Sequence, residues 1–242
     1  MIILFMFLGL LALVLINVPI AVALAVVASA AMVFAHGPDV LPNVALVMMD
    51  GATNFPLIAI PLFILAGAIM NSTGISRRLI AFASAIFGFV KGGLAMVNIG
   101  TSLFFAEISG SAVADVAALG SILSPSRKKK GYPGPFAAAV TSSSATLAVI
   151  SPPSIPMILY AVMAQSSVVQ LFVAGIVPGV LGGFLMMVVA HRFAVHYNYP
   201  VEEVFKIKQV VATFKDAALA FTLPLIILGG IFGGFVTATE GA

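Results

Sequence analysis

The sequence predicts an all-α, polytopic membrane protein that contains a re-entrant helical hairpin and a discontinuous helix. Of its 242 residues, 62% are hydrophobic and only 8% are charged, and the mean hydropathy is +1.20. Apolar runs longer than about 18 residues recur, and such runs are long enough to cross a bilayer. The chain has no cysteine, which excludes disulfides and thiolate metal sites from its chemistry.

The eleven Lys and Arg residues fall in a few patches, and the cytoplasmic loops of membrane proteins collect such residues. We therefore predict every basic patch inside, with the N-terminus. The connection 36–54, which holds only Asp39 and Asp50, is predicted outside. Binding of anionic lipid or nucleic acid is the alternative explanation for a basic patch. The high hydropathy favours an explanation by membrane orientation, and we expect no nucleic-acid partner. The patches are Arg77 and Arg78, Lys91, 127–130, Arg192, and Lys206, Lys208 and Lys215.

The first apolar runs predict two spanning helices and one interfacial helix. Residues 2–35 are predicted to form one tilted helix bent at Pro19, and 55–70 the helix that returns. The next apolar segment has 12 residues between basic ones, about 18 Å of helix, whereas the hydrocarbon core is about 30 Å thick. We therefore predict an amphipathic arm at 76–91 that lies along the inner interface.

Residues 92–124 are predicted to form the re-entrant hairpin, because Lys91 and the RKKK run at its two ends both belong inside. The turn falls in the sequence ISGS, where Gly110 can reverse the chain and Ser109 and Ser111 supply oxygens. Non-helical backbone persists at membrane depth only where protein or a watery cavity satisfies it. The tip is therefore a candidate binding surface, with close packing of small residues as the alternative.

Residues 135–164 are long enough for one outward pass, but Pro152 and Pro153 each remove a backbone donor. Ser151 and Ser154 flank the two prolines. We predict two half-helices that meet near mid-depth, as in many transporters. A simple proline kink, with serines satisfying the freed carbonyls, is the alternative.

A seven-residue pattern occurs twice in the chain. The pattern Pro-Leu-x-Ile-Leu-x-Gly occurs at 61–67 and at 224–230, on helices predicted to run in opposite directions. Opposed copies indicate the inverted-topology repeat of many secondary transporters. We predict a first repeat at 1–216 and the start of an incomplete second repeat at 217–242. Two further elements complete the first repeat, a helix and an inner connection, at 168–190 and 191–216.

The two breaks in the helices predict one shared site. Helix carbonyl ends and serine oxygens are hard ligands suited to sodium, and N-terminal N–H groups suit an anion. Sodium is thus predicted as the coupling ion, with no cofactor and no transition metal, and the same elements form half of the wall for a substrate carboxylate. Asp115 is costly in a membrane segment; we predict first that it stabilises its helix and, as the alternative, that it ligates the ion. The predicted sodium-binding residues are Ser109, Gly110, Ser111, Ser143, Ser144, Ser151 and Ser154. The predicted substrate-binding residues are Ser111, Pro152, Pro153 and Ser154.

Several segments occur in the order FPLIAIPLFILAGAIMNSTGISRRL, ISGSAVADVAALGSIL, GYPGPFAAAVTSSSATLAVISPPSIPMILYA, LFVAGIVPG and LPLIILGGIFGGFVTATEGA. Together they resemble the large membrane subunit of tripartite ATP-independent periplasmic (TRAP) transporters. The resemblance covers essentially the whole chain. It implies sodium-coupled, elevator-type import of a carboxylate-bearing solute, such as a C4-dicarboxylate or sialic acid, across the inner membrane. It also implies two partners, a periplasmic solute-binding protein and a small membrane subunit, beside the membrane lipid.

Other classes are less compatible with the residues. His36, His191 and His196 fall at predicted membrane ends or loops, so no serine-protease dyad is evident. Glu107 and Asp115 belong to one hairpin, which argues against an aspartyl intramembrane protease. We therefore predict no enzyme. A channel built on a re-entrant hairpin and a stand-alone anion transporter remain alternatives.

Overall fold

A computed structural model describes residues 2–201 and 204–241, apart from the side chains of Asn71, Ile108 and Ser109. Regular structure in the described residues is helical and contains no strand, which confirms the predicted fold class. The chain divides into two compact units, residues 1–54 and 55–242.

The first unit begins with two helices, α1 (Ile2–Leu15) and α2 (Ile20–His36). They lie side by side as an antiparallel hairpin, since one apolar groove is lined by both and Gly9 faces Val27. The prediction of one helix at 2–35 is therefore wrong. Asn17 has a left-handed backbone with φ of 67°, and Pro19 cannot continue a helix, so the chain reverses here instead of bending.

The rest of the first unit is also helical. A 3₁₀ turn at Pro38–Val40 leads into α3 (Leu41–Ala52), so most of the connection predicted at 36–54 is helix. Pro42 lies in the first turn of α3, where its missing N–H costs no hydrogen bond.

The second unit opens with a 3₁₀ turn at Phe55–Ile58. Its helices are, in chain order, α4 (Ala59–Ser72), α5 (Ile75–Phe87), α6 (Gly93–Ser109), α7 (Ala112–Lys129), α8 (Gly134–Ala145), α9 (Leu147–Ile150), α10 (Ile155–Met163), α11 (Val168–His196), α12 (Ile207–Phe232) and α13 (Ala238–Gly241).

The predicted arm at 76–91 corresponds to helix α5. Leu79, Phe82 and Ala83 form its buried face, and this face packs on α6 and α12. Phe82 meets the rings of three phenylalanines, at 5.5–5.8 Å between centroids. The apolar face of the arm is thus covered by protein, and its place at the inner interface stays a prediction.

Helices α6 and α7 form the predicted helical hairpin, with the turn at Gly110, whose φ is 56°. The second arm runs to Lys129, five residues beyond the predicted end, because Pro125 is accommodated inside it. Entry of both arms from one side of a bilayer stays a prediction.

The discontinuous helix is also present. Its halves α8–α9 and α10 meet at an angle of 42°, and residues 151–154 between them are not helical. The peptide bond between Pro152 and Pro153 is cis. The break is therefore an interruption of the helix and more than a kink.

Helices α11 and α12 are both longer than predicted. α11 continues six residues past 190, burying Ala190 and Ala194, and α12 begins at Ile207, so the inner connection shrinks to 197–206. Arg192 lies on an exposed part of α11, and Lys208 and Lys215 lie on exposed parts of α12. Within the described residues, α11 and α12 are long and apolar enough to cross a membrane, and two bent pairs of helices raise the count of candidate spans to four.

The two copies of the repeated Pro-Leu-x-Ile-Leu-x-Gly pattern lie on α4 and α12. Phe63 of the first copy and Ile227 of the second belong to one apolar cluster, together with Ile158 and Phe172. The copies therefore pack in a common core, while their relation as inverted repeats stays a prediction.

Candidate functional site

The tip of the hairpin meets the break of the discontinuous helix directly. The Gly110 carbonyl accepts a hydrogen bond from the Ile155 amide at 3.3 Å. A Cβ atom on Gly110 would lie 2.8 Å from the Pro153 carbonyl oxygen, and the positive φ also favours glycine here. Two motifs more than 40 residues apart in sequence are thus joined backbone to backbone.

Each half of this junction starts a helix with a serine. The Ser111 hydroxyl accepts from the Ala114 amide at 3.4 Å and caps α7. The Ser154 hydroxyl accepts from the Met157 amide at 3.5 Å and caps α10, and it also donates to the Val149 carbonyl at 2.6 Å. The predicted serines therefore cap two helix N-termini that lie beside one another.

Ser151 supplies an oxygen that the protein itself does not use. The residue is 3% exposed, and its hydroxyl has no hydrogen-bond partner among the described residues. Buried hydroxyls are normally paired, so this oxygen is available to bind a cation or a water molecule. Pro152 and Pro153 beside it are buried as well.

Helix α11 packs directly against the break, a contact that the sequence alone does not predict. A Cβ on Gly175 would lie 2.5 Å from the Ile150 carbonyl oxygen, and one on Gly179 would lie 2.5 Å from the Ser151 hydroxyl. Only glycine permits these approaches. The spacing of four residues, which puts both glycines on one helix face, is the signal that could have revealed them.

Three other predicted residues differ in their placement. The Ser109 side chain lies outside the described residues, although its backbone ends α6. Ser143 is exposed, at the edge of an apolar groove. Ser144 is buried and accepts from the Asn98 amide at 2.7 Å and the Ser102 hydroxyl at 2.9 Å. Ser102 is eight residues before Gly110, about 12 Å along α6, so the structure does not bring Ser144 to the tip.

A buried arginine continues this hydrogen-bonded network. Arg127 is 0% exposed and donates to the Asn98 side-chain oxygen at 2.8 Å, the Ala137 carbonyl at 3.0 Å and the Thr141 hydroxyl. The basic patch at 127–130 therefore includes one buried residue, because acceptors on α6 and α8 satisfy its guanidinium inside the protein. Arg127 thereby fastens the hairpin to the first half of the broken helix.

Asp115 lies in the first turn of α7 and is 1% exposed, and its carboxylate faces the Ser102 hydroxyl of α6. A carboxylate in this turn interacts favourably with the helix dipole, which fits the first predicted role. A buried carboxylate also fits the alternative, an ion ligand, so both roles stay open.

The junction thus offers hydroxyl and carbonyl oxygens on one hand and helix N–H groups on the other. Hard oxygen ligands hold alkali cations, and N–H groups hold carboxylates. The described residues contain no group of three or more His, Cys, Asp and Glu side chains that could bind a transition metal.

These features define a polytopic α-helical membrane protein in which a helical hairpin and a discontinuous helix share one junction. The chain belongs to the family described as the tripartite ATP-independent periplasmic transporter, DctM component, whose sequence model matches residues 7–242. This is a family of transport proteins and not of enzymes.

Curated relatives agree with this assignment. The chain is 40% identical over 215 residues to a C4-dicarboxylate TRAP transporter large permease protein of Pseudomonas aeruginosa, an alignment that covers 89% of this chain and 50% of the relative. It is 39% identical to an isethionate TRAP transporter permease protein of Oleidesulfovibrio alaskensis, covering 89% and 34%, respectively. It is 40% identical to a sialic acid TRAP transporter permease protein of Haemophilus influenzae, covering 78% and 31%. The chain spans half or less of the length of these relatives.

Proposed function

We propose that the chain is part of the membrane subunit of a sodium-coupled secondary transporter that imports a carboxylate-bearing solute. A C4-dicarboxylate or sialic acid is the favoured solute, since relatives that transport these are 40% identical to the chain. A periplasmic solute-binding protein delivers the solute, and a small membrane subunit completes the complex. In this proposal the protein lies in the inner membrane. The reversal at Asn17 brings Ile2 to the same end of the first unit as Phe34, so an inside N-terminus and an outside connection at 36–54 cannot both hold.

The contact of Gly110 with Pro153 and Ile155 is the observation that carries this proposal. This contact brings oxygens from two helix ends close together. The Ser151 hydroxyl, which has no partner among the described residues, is free to coordinate a cation. Sodium fits this donor set, which is made of neutral hard oxygens. Ser109, Gly110, Ser111, Ser151 and Ser154 would hold the ion.

The substrate carboxylate would lie against the starts of α7 and α10. The first turn of α7 offers the N–H groups of Ala112 and Val113. The amides of α10 are already bonded to Gly110 and Ser154, so α10 contributes the positive end of its dipole. Ser111, Pro152, Pro153 and Ser154 would form this half of the wall. Sodium bound at the same junction would add positive charge beside the carboxylate, which couples the two ligands.

The hydrogen-bonded network favours an elevator-type movement. Arg127, Asn98 and Ser144 tie α7, α6 and α8 together, and the Gly110–Ile155 hydrogen bond ties the tip to α10. Hairpin and broken helix would therefore travel as one body between the two sides of the membrane.

Uptake by proteoliposomes that contain the complete transporter and its binding protein tests the proposal. Ser154→Ala removes one oxygen and should raise the sodium concentration for half-maximal uptake roughly tenfold or more, the effect of losing about 1–3 kcal/mol. Ser142→Ala is the matched control, because Ser142 is exposed on the same broken helix and bonds only its own helix carbonyl. Uptake with no dependence on sodium would refute coupling, and passive conductance without saturable uptake would establish the channel alternative.

A further inference from the structure

An apolar groove on the second unit ends at a cluster of aromatic and basic residues. The groove has a volume of about 410 Å³ and lies between α8 and α11, with α6 beneath. Ser143 is the one polar side chain among its lining residues in the described part of the chain. Its main lining residues are Phe136, Val140, Leu185, Met186, Val189 and Phe193.

Two residues of the groove wall also belong to an aromatic cluster at one end. Phe136 stacks on Tyr132 at 6.3 Å and contacts Tyr199 at 5.2 Å between ring centroids, and Phe193 stacks on Tyr197 at 6.1 Å. Tyrosines of membrane proteins concentrate at the level of the lipid headgroups, where one end of the ring is apolar and the other is wet. The tyrosines therefore mark the end of the groove that faces the headgroups.

Exposed cations lie close in sequence to the aromatic residues of this cluster on three segments. Lys128, Lys129 and Lys130 directly precede the loop that carries Tyr132, and Arg192 is adjacent to Phe193. Lys91 donates to the Asn198 side-chain oxygen at 2.9 Å, between Tyr197 and Tyr199. The described part of this neighbourhood contributes no carboxylate; Glu202 and Glu203 follow it in sequence and lie outside the described residues.

We propose that this groove binds an anionic glycerophospholipid, with an acyl chain along α8 and α11 and the phosphate at the basic end. The apolar lining matches hydrocarbon, and the volume falls within the range of ligand pockets, about 300–1,000 Å³. Basic pockets between membrane helices are suited to anionic headgroups, and each exposed Lys or Arg adds to the attraction. The acyl chains of a zwitterionic lipid also fit the groove, but its headgroup carries no net charge to pair with the Lys and Arg side chains. The site therefore prefers a negatively charged headgroup.

The lipid would contact two helices of the second unit at once. α8 is the first half of the broken helix, whereas α11 carries the glycines under the break. A bound acyl chain would therefore fill the space between these two helices.

Quenching of a tryptophan in the groove tests this proposal. Val189→Trp places a reporter in the groove, and the parent transporter supplies the background signal from any tryptophan outside the 242 residues. Phosphatidylglycerol and phosphatidylcholine with brominated acyl chains are titrated into the detergent-purified transporter. We expect saturable quenching, with phosphatidylglycerol effective at a concentration at least tenfold below that of phosphatidylcholine.

Two pairs of variants separate the groove from the charges. Ala139→Phe fills the groove and should abolish saturable quenching, whereas Ala138→Phe, on the exposed neighbour that does not line it, should not. The double variant Lys128→Gln/Lys129→Gln should lose the preference for phosphatidylglycerol by at least tenfold, since each lysine contributes roughly fivefold. Its control is Lys206→Gln/Lys208→Gln, which removes two exposed lysines at the start of α12.

Equal and unsaturable quenching by both lipids would overturn the proposal and identify the groove as ordinary lipid-facing surface. Unchanged quenching in Ala139→Phe would overturn the placement of the acyl chain. Loss of the preference in the Lys206/Lys208 control to the same degree would overturn the assignment of the headgroup to this cluster. Monodispersity of each variant in detergent excludes misfolding as the cause of any loss.

Discussion

Replacement of Gly110 by alanine should separate the hairpin tip from the break. The new Cβ would lie 2.8 Å from the Pro153 carbonyl oxygen and 3.4 Å from the Ile155 nitrogen. Both neighbours are backbone atoms, so neither can rotate away, and relief of such a clash costs about 1–3 kcal/mol. The left-handed backbone at φ of 56° adds about 1–2 kcal/mol for any residue with a Cβ. The sum, about 2–5 kcal/mol, exceeds the energy of the single hydrogen bond that joins the tip to Ile155.

Gly131→Ala is the matched control for this variant. Gly131 also has a left-handed backbone, with φ of 81°, but a Cβ there would meet nothing within 4 Å. It should therefore show the conformational cost without the clash. The assay is sodium-dependent uptake together with thermal stability in detergent. We expect the half-maximal sodium concentration to rise at least tenfold in Gly110→Ala and to change by less than about twofold in Gly131→Ala. Equal sodium dependence in the two variants would refute the contact of tip and break as the origin of the ion site.

Two further predictions concern stability. Arg127→Met should lower the free energy of unfolding by about 3–5 kcal/mol, because it leaves buried acceptors on α6 and α8 unpaired. The control Lys129→Met, at an exposed position, should change it by less than about 0.5 kcal/mol. Similar unfolding midpoints of the two variants in detergent would contradict the role of this network. Gly179→Ala should cost about 1–3 kcal/mol, since its Cβ would meet the Ser151 hydroxyl, whereas Gly229→Ala, in open space on α12, should be neutral or stabilising. Unfolding midpoints that place Gly229→Ala below Gly179→Ala would contradict the close packing of α11 on the break.

The hairpin and the discontinuous helix could be predicted because their signals are local. Basic residues at both ends of 92–124 limit how that segment can cross, and two consecutive prolines interrupt any helix. Capping by Ser111 and Ser154 follows from the same short motifs, since a serine before a helix accepts from an amide three residues on.

The errors come from interactions that the sequence does not display. Arg127 looks like its three lysine neighbours, and only the fold shows Asn98 and Thr141, 29 and 14 residues away, as its acceptors. The sequence predicts Ser144 as a sodium ligand but does not show that the Asn98 amide, 46 residues away, donates to its hydroxyl.

The reversal at Asn17 was missed for a different reason. Proline permits either a bend or a turn, and the apolar residues on both sides are equally compatible with one long helix or with two that pack together. Contacts between α1 and α2, such as the approach of Val27 to Gly9, decide between these outcomes. Composition alone carries no information about that choice.

Sodium-dependent thermal stability tests the central claim, that tip and break form a cation site, and needs no knowledge of the solute. The purified transporter is unfolded at increasing sodium chloride, with potassium chloride keeping the ionic strength constant. A ligand that binds only the folded state stabilises it by about 2.7 kcal/mol at 100 times its dissociation constant. We predict a saturable rise of the unfolding midpoint with sodium, which Ser142→Ala retains and Ser151→Ala loses. Identical midpoints in sodium and potassium would contradict the account.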